Sequence, residues 1–251
     1  MNLFRSLTLT FSLYSAIPMP NVQWREENMQ WVFPCLPVVG GVIGGALWLW
    51  LRLALWLELG PALTGAVALL MPIALSGGIH LDGLCDACDA LGSHQSRERK
   101  LEIMKDSHIG AFGVMGCILY LLLFFAAWLD VDLTSDNLVL LAIIPVVSRS
   151  WTALAAVTRK NARGSGLLAT FTDAAATGWN RLLCGLWLGG CLAFLLCWSA
   201  AGRWATVCAA LVALGFYRMT RREFGGLTGD LAGCQLQLLE LGMVLAVAVA
   251  G

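Results

Sequence analysis

Apolar residues run almost unbroken over seven stretches of the chain, roughly 34–57, 61–79, 110–129, 137–157, 181–200, 203–218 and 232–250. Each is long enough, or nearly so, to cross a bilayer as a helix. Polar residues are confined to the connections, with no repeat, low-complexity tract or linker between them. This pattern predicts an all-α, polytopic integral membrane bundle of about seven transmembrane helices, with residues 1–251 forming one domain. A shorter apolar segment at 2–17 ends at Pro18 and Pro20. It falls below the roughly 20 residues that a span needs and has no small-residue cleavage pattern after it, which predicts a re-entrant or interfacial helix. Small-residue spacings at Gly40/Gly44 and Gly41/Gly45, and Gly185, Gly189 and Gly190, predict close helix approach.

Composition agrees with the pattern. The 251 residues are 59% hydrophobic and 13% charged, with mean hydropathy +0.75, values that exclude a soluble domain. The formal net charge is zero, and no nucleic-acid partner is expected. Charge distribution is more informative. Arg97, Arg99, Lys100 and Lys105 lie between the second and third stretches, and Arg159, Lys160 and Arg163 between the fourth and fifth. Arg218, Arg221 and Arg222 precede the last. The alternate connections are poor in basic residues, so the positive-inside rule turns the three basic loops toward the cytoplasm. The nine cysteines are scattered through apolar runs and read as small buried hydrophobes; Cys85 and Cys88 have redox or zinc spacing but no second pair.

The candidate chemistry gathers on those loops. Asp82, Asp86 and Asp89 stand at offsets of four and seven, on one helical face, directly against an apolar run. Like charges on adjacent turns repel, and hard divalent ions such as Mg2+ bind such faces through carboxylates together with substrate phosphates. Residues 97–105 suggest an amphipathic interfacial helix, with Arg97, Glu98, Arg99 and Glu102 on a solvated face. Where that segment returns to the membrane, Asp106 offers a fourth carboxylate or a base, and Lys105 a phosphate partner. Glycines beside Arg159, Lys160 and Arg163 let backbone N–H groups and cations approach an anion together. Arg149 lies at membrane depth, where it either faces a polar cavity or forms an ion pair with a carboxylate such as Glu240. Residues 225–230 form a glycine-rich turn presenting Thr228 and Asp230, readable also as a turn with a helix cap. Acids for a cation and basic groups for phosphates, on one surface, are the equipment of phosphoryl transfer. Two rival readings share some of these features: a CDP-alcohol phosphotransferase making phospholipid, and a cation transporter.

The motifs Gly77-Gly78-Ile79-His80-Leu81-Asp82-Gly83-Leu84-Cys85-Asp86-Ala87-Cys88-Asp89, Glu102-Ile103-Met104-Lys105-Asp106-Ser107 and Gly225-Gly226-Leu227-Thr228-Gly229-Asp230 resemble the cobalamin synthase (adenosylcobinamide-GDP ribazoletransferase) family. The resemblance covers nearly the whole chain. It implies a multi-pass enzyme of the bacterial inner membrane, its active site facing the cytoplasm, late in vitamin B12 assembly. Such an enzyme joins adenosylcobinamide-GDP to α-ribazole or its 5'-phosphate, releases GMP and uses Mg2+. By position, the resemblance gives the metal to Asp82, Asp86, Asp89 and Asp106, with Asp106 as ligand or general base. It places Lys105, Arg149 and Arg163 on phosphates, and His80, Ser107, Thr228 and Asp230 in substrate-binding segments. The lipid bilayer is the remaining expected partner, and a homo-oligomer is compatible with the chain. Three positions depart from the family pattern: His108 replaces Arg, Leu168 replaces Gly, and Gln237 replaces Glu.

Overall fold

A computed structural model of the chain describes residues 3–175 and 178–250. These form helices α1 (Leu3–Tyr14), α2 (Glu26–Met29), α3 (Val32–Trp56), α4 (Pro61–Leu75), α5 (Ile79–Gly92) and α6 (Arg97–Ile103). Then follow α7 (Ala111–Leu129), α8 (Ser135–Thr158), α9 (Leu167–Ala174), α10 (Gly178–Trp198), α11 (Ala200–Glu223) and α12 (Gly229–Ala250). Six of them (α3, α7, α8, α10, α11 and α12) are long and apolar enough to cross a membrane, making this a multi-pass membrane protein.

The second apolar stretch behaves differently from a simple span. Pro61 opens α4 at a position where a missing N–H costs nothing. The helix then closes as Gly77 and Gly78 take left-handed φ values of 67° and 76°, and the Gly78 N–H reaches back to the Ile73 carbonyl at 2.9 Å. The chain restarts as α5, bent 92° from α4. Counting that bent pair as one span gives seven. The aspartates therefore ride a helix set across the preceding apolar one, because two successive glycines permit a turn that other residues would resist.

The interior is built on α12, which packs against α5, α7, α8 and α11, and on the long contact between α3 and α8. Gly40 and Gly44 lie against the α8 backbone at Pro145 and Ala142, where no side chain would fit. Gly41, Gly45, Gly185, Gly189 and Gly190 face open space, so the close approach predicted for them is absent. A helix shows its neighbour only one stripe, and these glycines lie off it. Ile118, Leu119, Leu122, Leu186 and Leu211 are exposed, as lipid-facing positions of α7, α10 and α11 would be. The N-terminal helix α1 packs on α3 and ends at Tyr14, short of the prolines.

Candidate active site

The three basic loops meet. Arg97 donates to the Arg222 carbonyl at 3.1 Å, and buried Lys100 pairs with Glu223 at 2.6 Å, joining the first loop to the third. Arg163 donates to the Met104 carbonyl at 3.1 Å, joining the second loop to the first. Asn161 and Leu227 form an isolated parallel bridge, with Ala162 N–H on the Leu227 carbonyl and Leu227 N–H on the Lys160 carbonyl, both at 2.9 Å. Arg97 is exposed, as a solvated face requires, and also ties two loops together; Arg99 and Glu102 form an exposed pair at 2.8 Å.

Around this junction α5 crosses the start of α12. Gly83 rests on the Asp230 backbone, and His80 lies one turn further along against Gly233. Asp82 is exposed, while Asp86 and Asp230 are half-buried. The charges of Asp82, Asp230, Arg163 and Asp89 all act on Asp86. Arg163 forms an ion pair with Asp230 at 3.1 Å. Asn161 accepts from the N–H groups of Arg163 and Gly164, both at 2.9 Å, and so shapes the turn that carries Arg163. Among the described residues, no three His, Cys, Asp or Glu side chains converge as a ready-made metal cage.

A cavity of about 290 Å³ opens beside these groups. Asp82, Asp230, Arg163, Asn161 and Thr228 line its polar part; Leu13, Phe33, Leu36 and Ala156 line its apolar part, together with half-buried Tyr14 and buried His80 and Thr152. Thr228 also caps α12, its hydroxyl accepting from Leu231 N–H at 3.2 Å, so the turn ends in a helix cap while lining the cavity.

Several residues singled out in the sequence stand elsewhere. Asp89 turns its two oxygens to the N–H groups of Gly110 and Gly113, at 2.7 and 2.8 Å, and caps α7. Asp106 is 60% exposed, paired with His108 at 2.7 Å, and does not line the cavity. Hydrogen bonds from His108 hold the Asp106 carboxyl below the usual range. Lys105 and Ser107 are exposed in the same turn. Arg149 is fully buried, 2.7 Å from Glu240, which also accepts from Ser148 at 2.8 Å, and does not line the cavity. It is the packing ion pair, joining α8 to α12. Gln237, another departure, accepts from the Tyr120 hydroxyl at 2.6 Å. None of the nine cysteines forms a disulfide, and Cys85 is buried with Cys88 half-buried on α5. Sequence reasoning missed Thr152 and Tyr14, which lie in apolar segments without a motif, and missed that Asp230 completes the acidic group.

Comparison with known proteins gives one consistent result. The family model described as cobalamin-5-phosphate synthase matches residues 6–248. A protein of Lachnoclostridium phytofermentans named adenosylcobinamide-GDP ribazoletransferase is 39% identical, over 100% of this chain and 95% of its own. Proteins of the same name from Desulfitobacterium hafniense (39% identical; 94% and 92% covered) and Pseudomonas putida (40% identical; 86% of each) are similar too. No solved structure matches the chain.

Proposed function

Because the chain belongs to the cobalamin-5-phosphate synthase family, transferases of cobalamin biosynthesis, we infer that it joins ribazole or its 5'-phosphate to adenosylcobinamide-GDP with release of GMP. Family membership sets aside the CDP-alcohol phosphotransferase and cation-transporter readings. The observation that carries the reaction is the meeting of Asp82, Asp86, Asp230 and Arg163 beside a cavity where three glycine-bearing loops join.

The donor set suits Mg2+, an ion usually held by one or two carboxylates plus substrate phosphates, so a site without a full protein cage is compatible with it. Asp86 and Asp230 would hold it, leaving Asp82 free, and the ion would neutralise charge developing on the pyrophosphate. Asp89 supports the group from behind by fixing the start of α7, and Asp106 lies outside it. Arg163 neutralises phosphate charge on the loop side, with exposed Lys105 nearby in sequence to the Met104 carbonyl that Arg163 holds. The acceptor hydroxyl attacks the phosphorus on the cobinamide side. A P–O bond forms there, the P–O bond to GMP breaks, and the hydroxyl proton passes to Asp82, the lining carboxylate not committed to an arginine. The clustering of basic residues on these loops supports a cytoplasmic orientation in the bacterial inner membrane.

The test is release of GMP from adenosylcobinamide-GDP and α-ribazole by purified protein. It should need Mg2+, vanish with EDTA, and vanish in Asp82→Asn and Asp86→Asn proteins that remain folded and inserted. Full turnover by either variant, or with EDTA present, would refute the assignment of these carboxylates.

A further inference from the structure

The cavity lining holds two buried polar groups that the reaction scheme above leaves unused. His80 and Thr152 are only 5% and 6% exposed, both line the cavity, and neither His80 Nε2 nor Thr152 Oγ1 has a hydrogen-bond partner. A helical threonine or serine ordinarily satisfies its hydroxyl on the carbonyl four residues back. Ser150 and Thr158, on the same helix α8, do so at 2.7 and 2.6 Å. Thr152, between them, does not. Leaving such a buried group unsatisfied is costly, and a bound ligand with a matching group would remove that cost.

The surroundings define what that ligand looks like. Phe33, Leu36 and Ala156 are apolar, and the rings of Tyr14 and His80 lie nearly parallel, 16° apart in orientation with centroids separated by 6.4 Å. This is a lining for a flat, mostly apolar ring system carrying one or two polar atoms. Exposure rises toward Asp82, Arg163 and Asp230, so the polar end of the ligand points to the carboxylates. The volume of about 290 Å³ takes a nucleoside and not a corrin macrocycle bearing a guanosine diphosphate.

We propose that this cavity is the acceptor pocket. The benzimidazole base of ribazole lies inward, with the Thr152 hydroxyl donating to its unsubstituted ring nitrogen beside His80 Nε2. The ribose points outward to Asp82 and Asp230, and the bulky donor stays at the rim. Thr152 is then a specificity-determining residue: it distinguishes a benzimidazole from an isosteric ring lacking that nitrogen. This assignment rests on the ribazoletransferase reading for the identity of the acceptor.

The test is calorimetric titration of α-ribazole, and of the corresponding indole riboside, into wild-type, Thr152→Val and Thr152→Ser protein in detergent. Loss of one buried hydrogen bond should weaken ribazole binding about tenfold in Thr152→Val. Serine should restore it, and the indole riboside should bind wild type and Thr152→Val alike. In turnover the KM for ribazole should rise while that for adenosylcobinamide-GDP stays fixed. Unchanged ribazole affinity in Thr152→Val, or weakening confined to adenosylcobinamide-GDP, would overturn the pocket assignment. Wild-type protein that binds ribazole yet releases no GMP would instead remove the reaction and leave the pocket standing.

Discussion

Replacing Gly83 by alanine tests whether the α5–α12 crossing sets the carboxylate geometry. A methyl group built at Gly83 meets the Asp230 Cα at 2.9 Å and its carbonyl carbon at 3.0 Å, with the carbonyl oxygen closer still. Ordinary contact begins at 3.4 Å, so the two helices must separate by at least 0.5 Å. The obstructing atoms are backbone and cannot rotate away, so the displacement carries Asp82 and Asp86 away from Asp230. Catalytic constellations tolerate about 0.5 Å of error, and a 1 Å misplacement costs on the order of a hundredfold. Turnover should therefore fall by on the order of tenfold to a hundredfold in Gly83→Ala, measured as GMP release, with the protein still inserted. Gly41→Ala is the control, because nothing lies within 4 Å of its added methyl. A folded Gly83→Ala protein that turns over at the wild-type rate would show that the crossing does not position the site.

Substitutions at two further residues separate structural from chemical roles. Asp89→Ala orphans the Gly110 and Gly113 amides and should cost about 1–2 kcal/mol in thermal unfolding, whereas Asp89→Asn keeps an accepting oxygen and most of the activity; loss of turnover in a fully stable Asp89→Asn protein would make Asp89 a metal ligand instead of a cap. Glu240→Ala leaves Arg149 buried and unpaired, and should lower stability by about 3–5 kcal/mol; an unchanged unfolding midpoint would contradict the packing role of that pair.

The apolar stretches made the spans readable because lipid allows only a helix there, and helix ends fell within a few residues of the hydropathy edges. The bend between α4 and α5 was less legible: Gly77 and Gly78 stood in view, but hydropathy runs smoothly through them. The acidic group was half legible. Offsets of four and seven place Asp82, Asp86 and Asp89 on one face, yet that face is wide enough for Asp89 to reach α7 while Asp86 looks to α12. Periodicity gives direction around a helix and not the identity of the neighbour. Arg149 illustrates the same limit: its depth announced a partner, and only the packing of α8 on α12 shows that Glu240 takes the charge. Thr152 gave no signal at all, since a threonine in an apolar helix ordinarily bonds to its own backbone.

The cross-linking of the three loops carries a thermodynamic consequence. Arg97, Lys100, Arg163 and the bridge between Asn161 and Leu227 fix these segments during folding, so their conformational freedom is already gone before any ligand arrives. A nucleoside entering such a preorganised recess loses mainly its own translation and rotation, and more of the interaction energy remains for aligning the reacting oxygen with phosphorus.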